Sequence, residues 1–367
     1  MSLTEQIAAK AKEIHTDGYA MSIGEVLSLY RDQDIEIHPE FQRIFRWTDE
    51  QKSRLIESIL LSIPIPPIFV SQREDGIWDV IDGVQRLSTI FQFIGIYRNE
   101  DEELAEPLTL KGTEYLPDLD GYRWEVAGQS GKVFTDALRR DVKRAKLEFR
   151  IIRKESDRNA KYDMFQRLNA GTHLSQQEAR NCLLVMVNRA MYGEITELSK
   201  LNDFQKVCLV SEAKENEAYH QELVLRFFCQ YDYKGSSSEL PMEYGEYVTD
   251  WMREAAEMYD NPAGNKIKTD IFQRTFKLLA KSLADDTFRP WNGKRHSGPF
   301  SIASYEFVTS GVGANIDYWE SRTSTELADR IREIWSAAEF KGNSGSGVSP
   351  RRRVPKLVLN ARKYFTK

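Results

Sequence analysis

Cysteine is scarce in this sequence: Cys182, Cys208 and Cys229 are the only three, far apart and with no CxxC pair. So sparse and odd a set excludes a disulfide scaffold, and in apolar surroundings it reads as reduced core thiols of a cytosolic protein. Histidine is equally thin. His15, His38, His173, His220 and His296 stand apart, without HxxxH or HExxH spacing, so no histidine zinc site is expected. The GxxxxGK[ST] signature is missing, which excludes a P-loop NTPase. No Ser-His-Asp arrangement and no acidic cluster with metal spacing stands out. No apolar run approaches the roughly 18 residues a membrane span needs, and MSLTEQIAAKAKEIH at the start has no apolar h-region. A cytoplasmic protein with no membrane partner is therefore expected. Nor is there a cationic excess. Lys and Arg number 51 against 56 Asp and Glu, a net charge of −5, so any contact with nucleic acid must rest on local charge.

What the sequence does contain is ample core material. With 41% hydrophobic residues among 367, including 18 Phe, 16 Tyr and 7 Trp, it can pack two domains. Residues 1–21 read as a helical lead-in, and the helical pattern continues through Ile23–Tyr30. Ile35–His38 alternates briefly. Thr48-Asp-Glu-Gln51 is a capping box that opens a helix with Leu55, Ile56, Ile59, Leu60 and Ile63 on its apolar face. IPIPP (Ile63–Pro67) stops it. Ile68–Gln72 and Trp78–Ile81 flank the turn EDG and predict a hairpin, and LEFRII (Leu147–Ile152) predicts another strand. DRNAKYDMFQRLNAG reads as a helix closed by Asn169 and Gly171, followed by a second capping box, Ser175 with Glu178. Beyond about Lys200 the pattern is helical as far as Phe340. GNSGSGVSP (Gly342–Pro350) is flexible in composition, and RRRVPKLVLNARKYFTK after it holds seven Lys/Arg and no acid.

Three short stretches could carry chemistry. In WDVIDGVQRLSTIFQFI (Trp78–Ile94) a strand, a Gly turn and a helix start make a natural anion site, because free amides and the helix dipole converge there. Asp82 could instead be a helix cap with Gln85 as its reciprocal partner. That leaves Arg86 unexplained, since a cation in the first turn opposes the dipole. Gln42, Arg43, Arg46 and Trp47 could hold phosphate or stack on a base, or form a surface loop with inward aromatics. Phe165 to Arg180 supplies Arg167, Asn169 and Arg180 to a shared site, or is only a helix, a turn and a capped helix.

In combination and order, QR-x₃-W, the IP-x-PP-like entry, DG-x-QR and F-x-RLN-x-G-x₂-LS-x₂-E-x-R resemble the GmrSD-type N-terminal domain. That domain belongs to the wider ParB/sulfiredoxin-like group and is often known by its DGQQR motif, written here DGVQR with Val84 at the first glutamine. The resemblance covers about Ser22 to Val187. It implies an α+β chain: a ParB/sulfiredoxin-like domain with a small mixed sheet over 22–190, then a mostly α-helical domain over 191–341, a linker over 342–350 and a basic tail over 351–367. It also implies binding, and in characterised relatives hydrolysis, of a nucleoside triphosphate with Mg²⁺ in prokaryotic restriction and anti-phage systems.

Carried over by position, Asp82 and Gln85 become the expected catalytic pair, with Asp82 also the Mg²⁺ ligand. Gln42, Arg43, Gly83, Arg86, Arg167, Asn169 and Gly171 become the nucleotide and phosphate contacts. Many relatives carry an HNH nuclease domain with clustered histidines, whereas His220 and His296 stand alone after Lys200. A sensor or regulatory subunit is therefore expected, with cutting supplied by a partner nuclease or other defence subunit. DNA is an expected partner, with Arg351, Arg352, Arg353 and Lys356 as candidate contacts, and a homo-oligomer stays open. A non-catalytic DNA-binding regulator and a metal-dependent nickase are the competing readings.

Overall fold

Thr48 accepts from the Gln51 amide while the Gln51 side chain accepts from the Thr48 amide, so the reciprocal cap read from the sequence starts a helix where expected. The structure is a computed structural model, and it describes residues 2–5, 7, 15–37, 47–99, 103–125, 131–156, 175–235, 243–259, 262–342 and 350–366. Contacts divide the chain into two units, Met1–Leu174 and Ser175–Lys367.

The first unit is α+β. Its strands are β1 (Thr16–Ser22), β2 (Ile35–Glu36), β3 (Ile68–Gln72), β4 (Trp78–Asp82) and β5 (Lys146–Ile152). They form a five-stranded sheet in the order β1-β5-β3-β4-β2. β1 with β5 and β3 with β4 are antiparallel, while β3 with β5 and β2 with β4 are parallel, so the sheet is mixed. The helices are α1 (Ile23–Arg31), α2 (Asp49–Leu60), α3 (Val84–Ile94) and α4 (Asp136–Arg144). Ile23, Val26 and Leu27 of α1, Ile56 of α2, Leu87, Ile90 and Phe91 of α3, and Ile68, Val70 and Phe149 of the sheet close one core.

Two local expectations change. The lead-in is not helical throughout: Thr16–Ser22 is an edge strand, held along its whole length by β5. α2 ends at Leu60, short of the Pro-rich segment. Ser62 takes a left-handed φ of 56°, and the Ile63 amide donates back to the Ser58 carbonyl at 2.8 Å, which closes the helix before any proline is reached.

Every named element of the second unit is helical. In chain order these are α5 (Gln176–Val187), α6 (Arg189–Ser199), α7 (Asn202–Val207), α8 (Glu212–Asn216), α9 (Tyr219–Asp232), α10 (Tyr244–Glu257), α11 (Pro262–Ser282), α12 (Ile302–Ala314), α13 (Ile316–Glu320), α14 (Ser324–Glu333), α15 (Ala338–Lys341) and α16 (Pro350–Tyr364). α12 is buried along nearly its full circumference. A Cβ on Gly311 would lie 2.8 Å from the Ala361 carbonyl and would strike Phe365, so glycine lets α16 approach this closely.

The segment expected as a basic tail is thus a packed helix. Val354, Leu357, Val358 and Ala361 recur at helical spacing and are buried, as is Phe365 just beyond. An alternating charge chain joins four helices. Arg180 (α5) donates to Glu222 (α9) at 3.0 Å, Glu222 pairs with Arg226 at 2.6 Å, and Arg226 and Arg353 (α16) reach Glu306 (α12) at 2.8 and 2.9 Å. Among the described residues no helix is long and apolar enough to cross a membrane.

Candidate functional site

The site is built on the junction of β4 and α3. A register shift between Phe69 and Val70 brings Asp82, the last residue of β4, opposite Phe69. Gly83 follows at φ +101°, a conformation open to glycine at little cost. A Cβ there would collide with Ile68 Cδ1 and lie 3.3 Å from Arg86 Nη2, so space as well as φ requires glycine. Gly83 is the N-cap of α3 and no side chain caps the helix. The capping-box alternative for Asp82 and Gln85 is therefore not what forms. The amides of Val84, Gln85 and Arg86, the first turn of α3, have no intrahelical acceptor and no side-chain cap.

The cation in that first turn has a different explanation from repulsion or release to solvent. Arg86 is buried, with 10% of its side chain exposed, and its Nη2 donates to Asp82 Oδ2 at 2.6 Å. Its Nη1 donates to the carbonyls of Pro66 and Pro67, the latter at 3.1 Å. Asp82, four residues back, neutralises the cation that would otherwise oppose the helix dipole, and leaves the first-turn amides of α3 uncapped. The guanidinium ties the β4–α3 turn to the strand entering β3. Arg86 and Asp82 are both site candidates in the sequence, whereas Pro66 and Pro67 figure there as a helix stop and a motif entry, without their carbonyls being expected to hold Arg86.

Gln85 links a second motif to this turn. Its Oε1 accepts from the Trp47 amide at 3.4 Å, so the end of the Gln42–Trp47 segment lies beside the DGVQR turn. Its Nε2 is buried with no hydrogen-bond partner among the described residues. Val84 packs its side chain against the core of the first unit.

Residues 23–185 match the family model of the GmrSD restriction endonuclease, N-terminal domain. That segment is a GmrSD-type N-terminal domain. The match relates this N-terminal part to a restriction-endonuclease family. No curated protein and no solved structure matches the chain. Within the GmrSD-type domain, the DGVQR element is the part of the expected site that can be described in full. Gln42, Arg43, Arg167, Asn169 and Gly171 lie outside the described residues.

Arg180, offered by the sequence as a shared polar group, is only 3% exposed and is held by Gln177, Glu222 and the Gly245 carbonyl. Glu178 completes the expected capping box with Ser175. Of the candidate DNA contacts, Arg353 turns inward to Glu306, whereas Lys356 is exposed. The side chains of Arg351 and Arg352 lie outside the described residues.

Asp82 by itself does not fit a Mg²⁺ centre. One of its oxygens is engaged by Arg86, and among the described residues no group of three or more His, Cys, Asp or Glu could hold a metal.

Two polar sites that the sequence reading passed over are structural. Arg73 ties Asp79 of β4 to Glu36 of β2, holding the edge strand to its neighbour. Buried Glu57 accepts from the amides of Tyr115 and Leu116 at 3.0 and 3.1 Å and fixes the loop over α2. A charged residue interrupting an apolar helix face is the signal that could have found Glu57.

Proposed function

We propose that the N-terminal unit binds a nucleoside triphosphate at the β4–α3 turn, and that the protein acts as a sensor or regulatory subunit of a restriction or anti-phage system. Hydrolysis of the nucleotide is the activity proposed for that turn, and DNA cleavage is assigned to a partner. The observation that carries the reading is that, among the described residues, the first turn of α3 is uncapped and the side-chain amide nitrogen of Gln85 beside it is unpartnered. Phosphate oxygens accept from the amides of Val84, Gln85 and Arg86, where the helix dipole favours negative charge. Gln85 Nε2 donates to a phosphate oxygen or orients the attacking water. Gly83 keeps the approach clear of a side chain. Arg86 is a positioning residue: it fixes Asp82 and the carbonyls of the entering strand rather than meeting solvent.

A specific observation favours the second reading, a nucleotide-binding regulator without turnover. Asp82 Oδ2 is engaged by Arg86 Nη2, so half of the carboxylate is turned away from an attacking water. Two measurements separate the readings. Labelled ATP, GTP, CTP and UTP binding is compared between the wild type and Gln85→Ala, and phosphate release is followed with each nucleotide, with and without DNA. Binding that weakens at least about tenfold in Gln85→Ala supports the site, in line with the loss of one charged hydrogen bond. Unchanged binding in that variant, or no binding of any nucleotide to the wild type, sinks it. Binding without phosphate release selects the regulator.

A further inference from the structure

The second unit carries a cationic hairpin that the nucleotide reading does not use. Between 287 and 305 the sequence has no acidic residue but holds Arg289, Lys294, Arg295 and His296. Trp291 and His296 pair as an antiparallel bridge, and Gly293 turns the chain at φ +92°. The Asn292 side chain accepts from the amides of Lys294 and Arg295, both at 2.9 Å, and the Asn292 amide donates to the Arg295 carbonyl at 3.3 Å. An asparagine that bonds its own turn fixes the tip in one shape.

The base of the hairpin is equally determined. The His296 ring lies 4.7 Å from that of Trp291, and the Arg332 guanidinium from α14 sits 5.1 Å from the Trp291 centroid. His296 Nδ1 meets the Arg289 carbonyl at 3.1 Å. The nearby cations at the base are balanced: Arg289 pairs with Asp286, and Arg332 with Asp329. Lys294 and Arg295 at the tip are exposed, and neither forms an ion pair among the described residues. In a chain of net charge −5, two unbalanced cations on a rigid tip are a local reversal of sign.

We propose that this hairpin tip is a contact for the phosphate backbone of duplex DNA, with Lys294 and Arg295 each taking a phosphate. Fixing the turn beforehand removes the ordering cost that makes ordinary surface cations weak ligands. The Trp291 ring is already occupied by His296 and Arg332, so it offers no platform to an unstacked base, and the contact reads charge rather than sequence. The choice of DNA among polyanions rests on the restriction-type domain at 23–185. It is independent of nucleotide binding at Gly83.

The test measures anisotropy of a short labelled duplex with the full chain, without nucleotide, across a series of salt concentrations. The wild type and the double variant Lys294→Glu/Arg295→Glu are compared, with Lys294→Arg/Arg295→Lys as the conservative control. The charge reversal weakens binding at least about tenfold and lowers the salt slope by about two, while the conservative pair stays near wild type. Thermal midpoints stay level because both side chains are exposed, and labelled-nucleotide binding is unchanged, which keeps a failure here distinct from a failure at Gly83. Equal affinity and slope in the reversed variant overturns the proposal, as does a wild type that ignores duplex at low salt. Poly-glutamate competing as well as duplex also overturns it, and points to an acidic protein as the partner.

Discussion

Gly83, Arg86 and Gln85 divide the work of one turn, and each fails in its own way when replaced. Gly83→Ala puts a Cβ into Ile68 at a backbone angle that L-residues rarely adopt. It is expected to cost about 1–3 kcal/mol in denaturant unfolding and to remove nucleotide binding together with it. Arg86→Lys keeps the charge but loses the fork that reaches Asp82, Pro66 and Pro67 at once. A loss of about 1–3 kcal/mol is expected, because a point charge cannot satisfy three separated acceptors. A variant with wild-type stability would show that the guanidinium does not hold the turn. Gln85→Ala should behave differently, with a smaller loss of stability and impaired binding, since the structural contact it gives up is the long 3.4 Å bond from the Trp47 amide to its Oε1. That contrast separates positioning from contact within a single motif.

Elements differ in how far the sequence announced them. Both capping boxes, the β3–β4 hairpin and β5 follow from side-chain pattern, because caps and alternation are local. β1 does not: TDGYAMS has no strong strand pattern and is strand because β5 pairs with it. α16 was hidden by composition. Its arginines and the Gly/Ser run before it suggested a basic tail, while the buried stripe from Val354 to Ala361 was the truer signal. At the site, two of the partners of Arg86 are the backbone carbonyls of Pro66 and Pro67, and these leave no mark in a sequence.

Two element-scale outcomes follow. Glu306→Ala leaves Arg226 and Arg353 without their shared carboxylate inside the helical unit. A cost of about 3–5 kcal/mol is expected in urea, with α16 the first element to lose exchange protection. At α14, hydrogen bonds from Thr323 hold the Glu326 carboxyl below the usual carboxylate range. A depressed folded pKa means the contribution is present above the unfolded value, about 4.3, and is lost as pH falls through the lower folded value. Thermal midpoints measured down that acid range should fall less steeply in Glu326→Gln, and an identical slope would show that the cap does not titrate with folding.

On the scale of the whole chain, the thiols mark one unit only. Cys182, Cys208 and Cys229 are all buried and all belong to Ser175–Lys367. Burial pushes the Cys208 thiol well up, and it pushes Cys229 up to about 12. Native protein at neutral pH should therefore leave all three unreacted with a disulfide reagent, and denatured protein should titrate all of them. Rapid reaction of the native chain would contradict the packing of α5, α7 and α9. Along a denaturant series, thiol release therefore reports the opening of the unit Ser175–Lys367.

The charge chain from Arg180 to Arg353 has a temporal side. Synthesis delivers Arg180, Glu222, Arg226 and Glu306 in that order, and Arg353 only afterwards. Until α16 emerges, a nascent chain holds Glu306 with a single arginine and leaves the flank of α12 around Gly311 uncovered. The helical unit thus cannot close its packing before α16 has emerged, and a product clipped ahead of α16 would carry a half-compensated carboxylate and an apolar flank.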